Sequence, residues 1–212
     1  MNWPLFFKNR RNKILAIGFS ALGTACYLVC VIRFLIASAS GFGSSDYIIS
    51  LISHIFEFGL MAYLLLCNIN NDNRAYNAIL MWIFWFFLDQ FREVIYGQLG
   101  LFSALRTGNI YFIAFATIAF GAGIASFAVG LTLYLTLRRY MVGREDSFKR
   151  IRRLAIAYAS LAGATLLFQS IVFFFVSGLP PMLVMEILLA TIAELFIHIA
   201  VIFTLERLRR VY

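Results

Sequence analysis

The chain alternates long apolar stretches with short polar connections. Each stretch has about the 20 residues that an α-helix needs to cross the hydrocarbon layer of a bilayer. The six stretches run over residues 14–38, 47–68, 76–98, 110–137, 154–177 and 182–205. Turn-forming residues such as Gly, Asn, Asp and Pro gather between them. The pattern predicts an all-α, polytopic transmembrane bundle of about six spans, which forms a single integral membrane domain over residues 1–212.

Composition supports lipid as the solvent of this domain. Hydrophobic residues make up 62% of the 212 positions and charged residues only 13%, whereas a soluble domain carries about a quarter charged residues. A surface built from this composition could not be covered by polar groups. We therefore expect the lipid bilayer to be the main partner of the chain, and we expect no attached soluble module.

Basic residues outnumber acidic ones by 18 to 10, and their positions matter more than their number. Fifteen of the 18 fall in alternate connections and at the two chain ends: Lys8, Arg10, Arg11, Lys13, Arg74, Arg138, Arg139, Arg144, Lys149, Arg150, Arg152, Arg153, Arg207, Arg209 and Arg210. The intervening connections contain only Arg106. This asymmetry is typical of the positive-inside rule. It predicts cytoplasmic N- and C-termini in a plasma membrane or bacterial inner membrane.

The same charge distribution bears on partners. Basic clusters beside membrane spans favour the anionic headgroups of the cytoplasmic leaflet, and this placement explains the charge without a nucleic-acid partner. We also expect that the chain could form a homo-oligomer or a hetero-oligomer.

Ionisable residues inside the apolar stretches are the candidates for chemistry, because each is costly in hydrocarbon unless it is paired or hydrated. Five of the ten acids and both histidines lie there: Glu57, Asp89, Glu93, Glu186, Glu194, His54 and His198. At a rise of about 1.5 Å per residue, Glu57, Asp89 and Glu194 lie within roughly 3 Å of the bilayer centre. The sequence predicts a substrate- or ion-binding centre of carboxylates at the midplane.

Neighbouring residues complete this predicted centre. Arg92 lies one helical turn from Asp89 and is the expected counter-charge. His54 accompanies Glu57 and His198 accompanies Glu194, so both histidines are candidate proton relays. The leading hypothesis is a small proton- or cation-coupled transporter that uses Glu57, Asp89, Arg92, Glu194, His198 and His54.

Two other classes of function remain open. A non-catalytic membrane subunit or sensor domain of a larger complex would use the same polar groups only for helix packing. A haem- or metal-binding redox subunit is disfavoured, because the two histidines should be offset by roughly 10 Å along the membrane normal. No cofactor or metal site is predicted. The usual phosphate-loop, hydrolase and zinc motifs are missing from the sequence, so an enzyme is not favoured.

Small residues at every fourth position predict close helix packing, as in other membrane bundles. The ladders are Ala21 and Ala25; Ala122, Ser126 and Gly130; and Ala155, Ala159 and Gly163. Ala16 lies off the first ladder, so a leucine there is expected to be mild.

Overall fold

The computed structural model describes residues 3–39, 45–143, 148–176 and 181–208. Within these ranges the regular structure consists of six α-helices: α1 Trp3–Ala39, α2 Ser45–Ile69, α3 Ala75–Thr107, α4 Ile110–Met141, α5 Phe148–Val176 and α6 Pro181–Leu208. The predicted all-α architecture is therefore confirmed for the described residues. The first and last predicted polar connections, around residues 41–46 and 178–181, lie largely outside them.

Four of the described helices contain segments that are long and apolar enough to cross a membrane. These segments are Arg10–Ile36 in α1, Leu51–Ile69 in α2, Ile113–Met141 in α4 and Leu188–Leu208 in α6. Helix α3 contains a shorter apolar segment, Ala75–Leu88. Length and composition thus support a membrane protein, while the full count of six spans stays a prediction.

Helix α3 is longer than its apolar pattern predicts. It continues past residue 98 to Thr107, and only Gly108 and Asn109 separate it from α4. Gly108 has a φ of +65°, which glycine adopts without steric cost. Asn109 Oδ1 then accepts a hydrogen bond from the Tyr111 N–H at 3.0 Å and caps α4. The predicted apolar stretch of residues 76–98 lies within this longer helix, which continues through Gly100.

The chain divides into two compact units. The first contains residues 1–79 and 167–212, and the second contains residues 80–166. In the first unit, α1 packs against both α2 and α6. The Asn68 side chain contacts Ser20 and Thr204, whereas His54 lies against Tyr27. These contacts show that α1 runs antiparallel to α2. The contact of Phe19 with Phe203 and the closeness of Gly23 to Ala193 show that α1 also runs antiparallel to α6.

The buried face of α1 differs from the predicted one. Its buried residues recur every three or four positions, as expected for one helix face: Ala16, Ser20, Gly23, Tyr27 and Cys30. Ala21 and Ala25 are exposed, so that ladder was wrong. Ala16 is fully buried, so a leucine there is not expected to be mild. The face is determined by residues such as Tyr27 and Ser20, which contact His54 and Asn68 of α2. Small size alone does not identify it.

In the second unit, α3, α4 and α5 meet around Tyr158. The Tyr158 ring lies 6.3 Å from the Trp82 ring and 5.9 Å from the Phe86 ring, measured between centroids. A Cβ added to Gly130 would lie 2.9 Å from Tyr158 Cε2. Ser126, Gly130, Ala155 and Gly163 are buried, while Ala122 and Ala159 are partly buried. Packing faces on α4 and α5 are thus confirmed for most of the two predicted ladders.

Most basic residues of each unit lie at one end of it, with Arg33 as an exception in the first unit. In the first unit, antiparallel packing brings Arg10, Arg11 and Lys13 of α1 to the end that carries Arg74 and Arg207. In the second unit, the contact of Tyr140 with Phe148 at 6.0 Å closes the α4–α5 hairpin. Basic residues lie on both sides of that closure, while Arg106 lies beyond the opposite end of α4. The basic connections that alternate along the sequence thus give each unit one end that is richer in positive charge.

Candidate functional site

His54 and Glu57 form a close pair one turn apart on α2. The distance from His54 Nδ1 to Glu57 Oε2 is 3.0 Å, and the two side chains are only 18% and 12% exposed. Ser53 Oγ donates a longer hydrogen bond of 3.4 Å to Glu57 Oε1. Both residues lie inside the candidate span Leu51–Ile69. An unprotonated imidazole nitrogen and a carboxylate oxygen can both only accept a hydrogen bond. A contact this short therefore requires a proton on one of the two atoms.

Aromatic side chains of α1 hold the imidazole of His54. The Phe34 ring centroid lies 5.0 Å away and the Tyr27 ring centroid 6.0 Å away. Tyr27 is almost fully buried. Aromatic rings at these distances pack against the imidazole and restrict its rotation, so its Nδ1 stays directed toward Glu57.

Glu194 and His198 lie one turn apart on α6, inside the candidate span Leu188–Leu208. His198 is buried and Glu194 is partly buried. Helices α2 and α6 run in the same direction. Because Asn68 contacts Thr204, residues of α2 and α6 that are 136 positions apart in the sequence lie at the same level along the two helices. Glu57 is therefore level with Ala193, within about 1.5 Å of the level of Glu194 along the axis.

Helix α1 closely approaches α2 and α6 near this level. A Cβ on Gly23 would lie 2.7 Å from Met61 Cε and 3.7 Å from the Ala193 carbonyl oxygen. The three helices of the first unit therefore converge beside the level of Glu57 and Glu194.

The two histidines are separated along the helix axes. By the same offset, His54 lies level with Ala190, which is two turns, or roughly 12 Å, from His198. This separation disfavours joint ligation of one haem iron. Among the described residues, no group of three or more His, Cys, Asp and Glu side chains is arranged to hold a metal ion.

The remaining predicted residues lie outside the described side chains. Asp89 and Arg92 belong to the part of α3 in the second unit, and the structure describes neither side chain. The same holds for Glu93 and Glu186. A centre with three carboxyl groups and an Asp89–Arg92 ion pair therefore stays a prediction.

A buried network of uncharged polar groups was missed at the sequence level. Asn68 Nδ2 donates to Ser20 Oγ at 3.3 Å and to Thr204 Oγ1 at 3.0 Å. Thr204 Oγ1 also lies 3.2 Å from Asn68 Oδ1 and 2.7 Å from the Ala200 carbonyl oxygen. All three side chains are fully buried. Asn68 stands at the end of an apolar stretch in the sequence, where an amide usually marks the start of a loop. Its position alone therefore did not indicate a buried hydrogen bond.

From the sequence, Arg207 was expected only to indicate the orientation of the chain in the membrane. In the structure it connects α6 to the α2–α3 connection. Its Nη1 donates to Asn71 Oδ1 at 3.4 Å and its Nη2 to the Asp72 carbonyl oxygen at 3.3 Å. The Tyr76 hydroxyl donates to the Leu208 carbonyl oxygen at 2.9 Å. Asn71 has a φ of +55° after the end of α2, a conformation that asparagine tolerates better than most residues. We call this group of contacts the Arg207 clasp. It fixes the α2–α3 connection to the end of α6.

Comparison of the chain with protein families, with curated proteins and with solved structures found no match.

Proposed function

We propose that this chain is a small transporter that moves protons, or a cation coupled to protons, across a membrane through its first unit. Glu57 is the group that takes up and releases the ion, and His54 is its proton partner. The observation that carries the proposal is the 3.0 Å contact of His54 with Glu57 inside an apolar span. Packing alone is achieved a few turns away by Ser20, Asn68 and Thr204, which cannot titrate.

The axial order of the titratable groups supports a relay. Along α2 and α6 the order is His54, Glu57, Glu194 and His198, with steps of about 4.5, 1.5 and 6 Å. A protonated Glu57 is neutral, and loss of its proton leaves a carboxylate that can bind a cation or be reprotonated through His54. Glu194 lies at nearly the same level and is the next acceptor. Asp89 and Arg92 would supply a further carboxylate and its counter-charge.

The charge distribution supports an orientation for this transport. With six spans, the basic connections of the sequence face the cytoplasm together with the N- and C-termini. His54 then lies toward the outer face and His198 toward the inner face. The membrane is a plasma membrane or a bacterial inner membrane.

A second candidate is a non-catalytic subunit or sensor domain in a larger membrane complex. The Arg207 clasp and the Ser20–Asn68–Thr204 network favour it, because both use polar groups to lock helices together. In that case the His54–Glu57 pair would be another packing contact. The two functions differ in whether an ion passes.

The test is flux through the purified chain in liposomes that contain a pH-sensitive dye. We expect wild-type protein to dissipate a pH gradient faster than protein-free liposomes. Glu57→Gln should reduce the rate at least tenfold, because an amide cannot exchange a proton with His54. The matched control is Glu206→Gln, the same chemical change near the end of α6, which should keep its flux.

Thermal unfolding in detergent shows whether each variant is folded. Flux equal to wild type in both Glu57→Gln and Glu194→Gln would contradict the assignment of the ion site to these two carboxyl groups. Wild-type flux no faster than in protein-free liposomes would contradict transport and favour the subunit.

A further inference from the structure

The α4–α5 hairpin of the second unit carries more positive charge than any other part of the chain. Between Arg138 and Arg153 the sequence has seven basic and two acidic residues. Six of the basic side chains are described, and all six are exposed: Arg138, Arg139, Lys149, Arg150, Arg152 and Arg153. We call them the basic collar. Arg144, Glu145 and Asp146 lie outside the described residues.

The start of α5 separates charge from apolar surface. At 100° per residue, Lys149, Arg150, Arg152 and Arg153 occupy an arc of about 160°. Phe148, Ile151 and Ala155 are buried and share the opposite face. The apolar face is thus used inside the unit, and the basic face is directed away from it.

The depth of the collar matches the headgroup layer of a bilayer. On α4, the candidate span Ile113–Met141 includes Arg138 and Arg139 in its last turn. The Tyr140–Phe148 contact brings Lys149 and Arg150 to that level. The four basic positions of α5 extend over about 6 Å along its axis, and one headgroup layer is about 5–8 Å thick. Cations at the end of a span reach that layer by extending their side chains along the apolar surface.

We infer that the basic collar is a binding surface for anionic phospholipid headgroups. Phosphate groups of the leaflet lie at the depth of the guanidinium groups, and opposite charge attracts them. A nucleic acid or an acidic protein segment would need a basic surface that extends into water, whereas Arg138 and Arg139 belong to the last turn of a membrane span. The inference requires that the chain spans a membrane, and it is independent of ion transport.

The experiment measures lipid retention by the full chain in detergent micelles with native mass spectrometry. Phosphatidylglycerol and phosphatidylcholine with the same acyl chains are added at equal concentrations. We expect phosphatidylglycerol to be retained preferentially by the wild type. The double variant Arg150→Gln/Arg153→Gln should lose about tenfold in apparent affinity for it, which is within what two cations near an anionic surface contribute.

Two further double variants make the test specific. Arg150→Lys/Arg153→Lys keeps the charge and should retain the lipid. Arg10→Gln/Arg11→Gln removes two exposed basic residues from the smaller basic cluster of α1 and should lower the affinity less than Arg150→Gln/Arg153→Gln does. An equal loss in the α1 control, or equal retention of the two lipids by the wild type, would overturn the inference.

A competition experiment tests whether a nucleic acid or an acidic peptide binds the basic collar in place of lipid. A single-stranded oligonucleotide or polyglutamate is added without lipid and then together with phosphatidylglycerol. We expect neither to displace the lipid. Binding of either one more tightly than phosphatidylglycerol, with loss in Arg150→Gln/Arg153→Gln, would overturn the assignment to lipid.

Discussion

Polar side chains inside the first unit serve two chemical roles. Asn68 is fully buried, and its amide is satisfied by the hydroxyl groups of two other helices. Glu57 is satisfied by a neighbour on its own helix, an imidazole that can exchange a proton. The first arrangement joins three helices by hydrogen bonds, whereas the hydrogen bond between His54 and Glu57 stays within α2. The distinction explains why the proposed ion site is assigned to Glu57 and not to Asn68.

At this scale we expect Asn68 and Thr204 to be energetically coupled. Thr204→Val removes the hydroxyl at nearly constant shape, and Asn68→Ala removes the amide. In a double-mutant cycle, the coupling free energy should be about 0.6–1.7 kcal/mol, as for other hydrogen bonds between membrane helices. The measurement is the free energy of unfolding in mixed micelles.

The matched control for this cycle is Thr132→Val. Thr132 is exposed, and its hydroxyl donates to the Ala128 carbonyl oxygen of its own helix. It should show no coupling to Asn68→Ala. Additive effects of Asn68→Ala and Thr204→Val would mean that the two side chains do not interact in the folded protein.

At the scale of the helices, packing depends on which side of a glycine faces a neighbour. A Cβ on Gly130 would meet the Tyr158 ring at 2.9–3.3 Å, whereas one on Gly121 of the same helix would find nothing within 4 Å. Both are glycines of α4, and the sequence pattern shows only that Gly130 belongs to a ladder. The contact with Tyr158 shows what the ladder accommodates, namely a rigid aromatic ring at the meeting point of three helices.

Alanine at these two positions should therefore have opposite effects on stability. Gly130→Ala should lower the free energy of unfolding by about 1–3 kcal/mol, the usual cost of overpacking. Gly121→Ala should raise it by about 0.5–1 kcal/mol, because the unfolded chain loses conformational freedom. Unfolding of both variants in the same detergent is the measurement. Stabilisation by Gly130→Ala would show that Tyr158 can move away without cost.

Some helical features could be predicted from sequence and others could not. Hydrophobic runs locate helices because membrane spans need a minimum apolar length, and all six predicted stretches lie mainly in helices. The full length of α3 could not be predicted from apolarity, because the helix continues to Thr107 past the apolar stretch that ends at residue 98. The Ala21–Ala25 ladder was wrong because small residues are also tolerated on exposed faces. The buried face is determined by the residues that find partners, such as Tyr27.

At the scale of the whole molecule, the candidate site also combines contacts that could be predicted from the sequence with contacts that could not. His54 with Glu57 could be inferred from sequence, because a local pair on one helix depends only on helical spacing. The contacts of Asn68 join residues separated by 48 and 136 positions, and apolar periodicity does not encode the register between distant helices. An Arg in a last turn, such as Arg207, carries the same sequence signal whether it faces water or binds a loop.

Orientation is the prediction that belongs to the whole molecule. Cysteines are introduced at Arg106 and Arg152 in a background that lacks Cys26, Cys30 and Cys67. On intact cells, an impermeant maleimide should label position 106, and it should label position 152 only after permeabilisation, because basic connections are retained in the cytoplasm. The reverse pattern would overturn the orientation. Labelling of both positions from outside would contradict the predicted number of spans.

The hydrogen bond between Asn68 and Thr204 also has a consequence for biosynthesis. A ribosome adds about 5–20 residues per second, so the 136 residues that separate these partners require roughly 7–27 s. During that interval α1 and α2 enter the membrane while the amide of Asn68 lacks its Thr204 partner. Within the nascent hairpin, Ser20 of α1 is then the hydrogen-bond partner of this amide until α6 has been made. A chain truncated before α6 should be recognised by quality-control proteases, although it contains three of the four candidate spans.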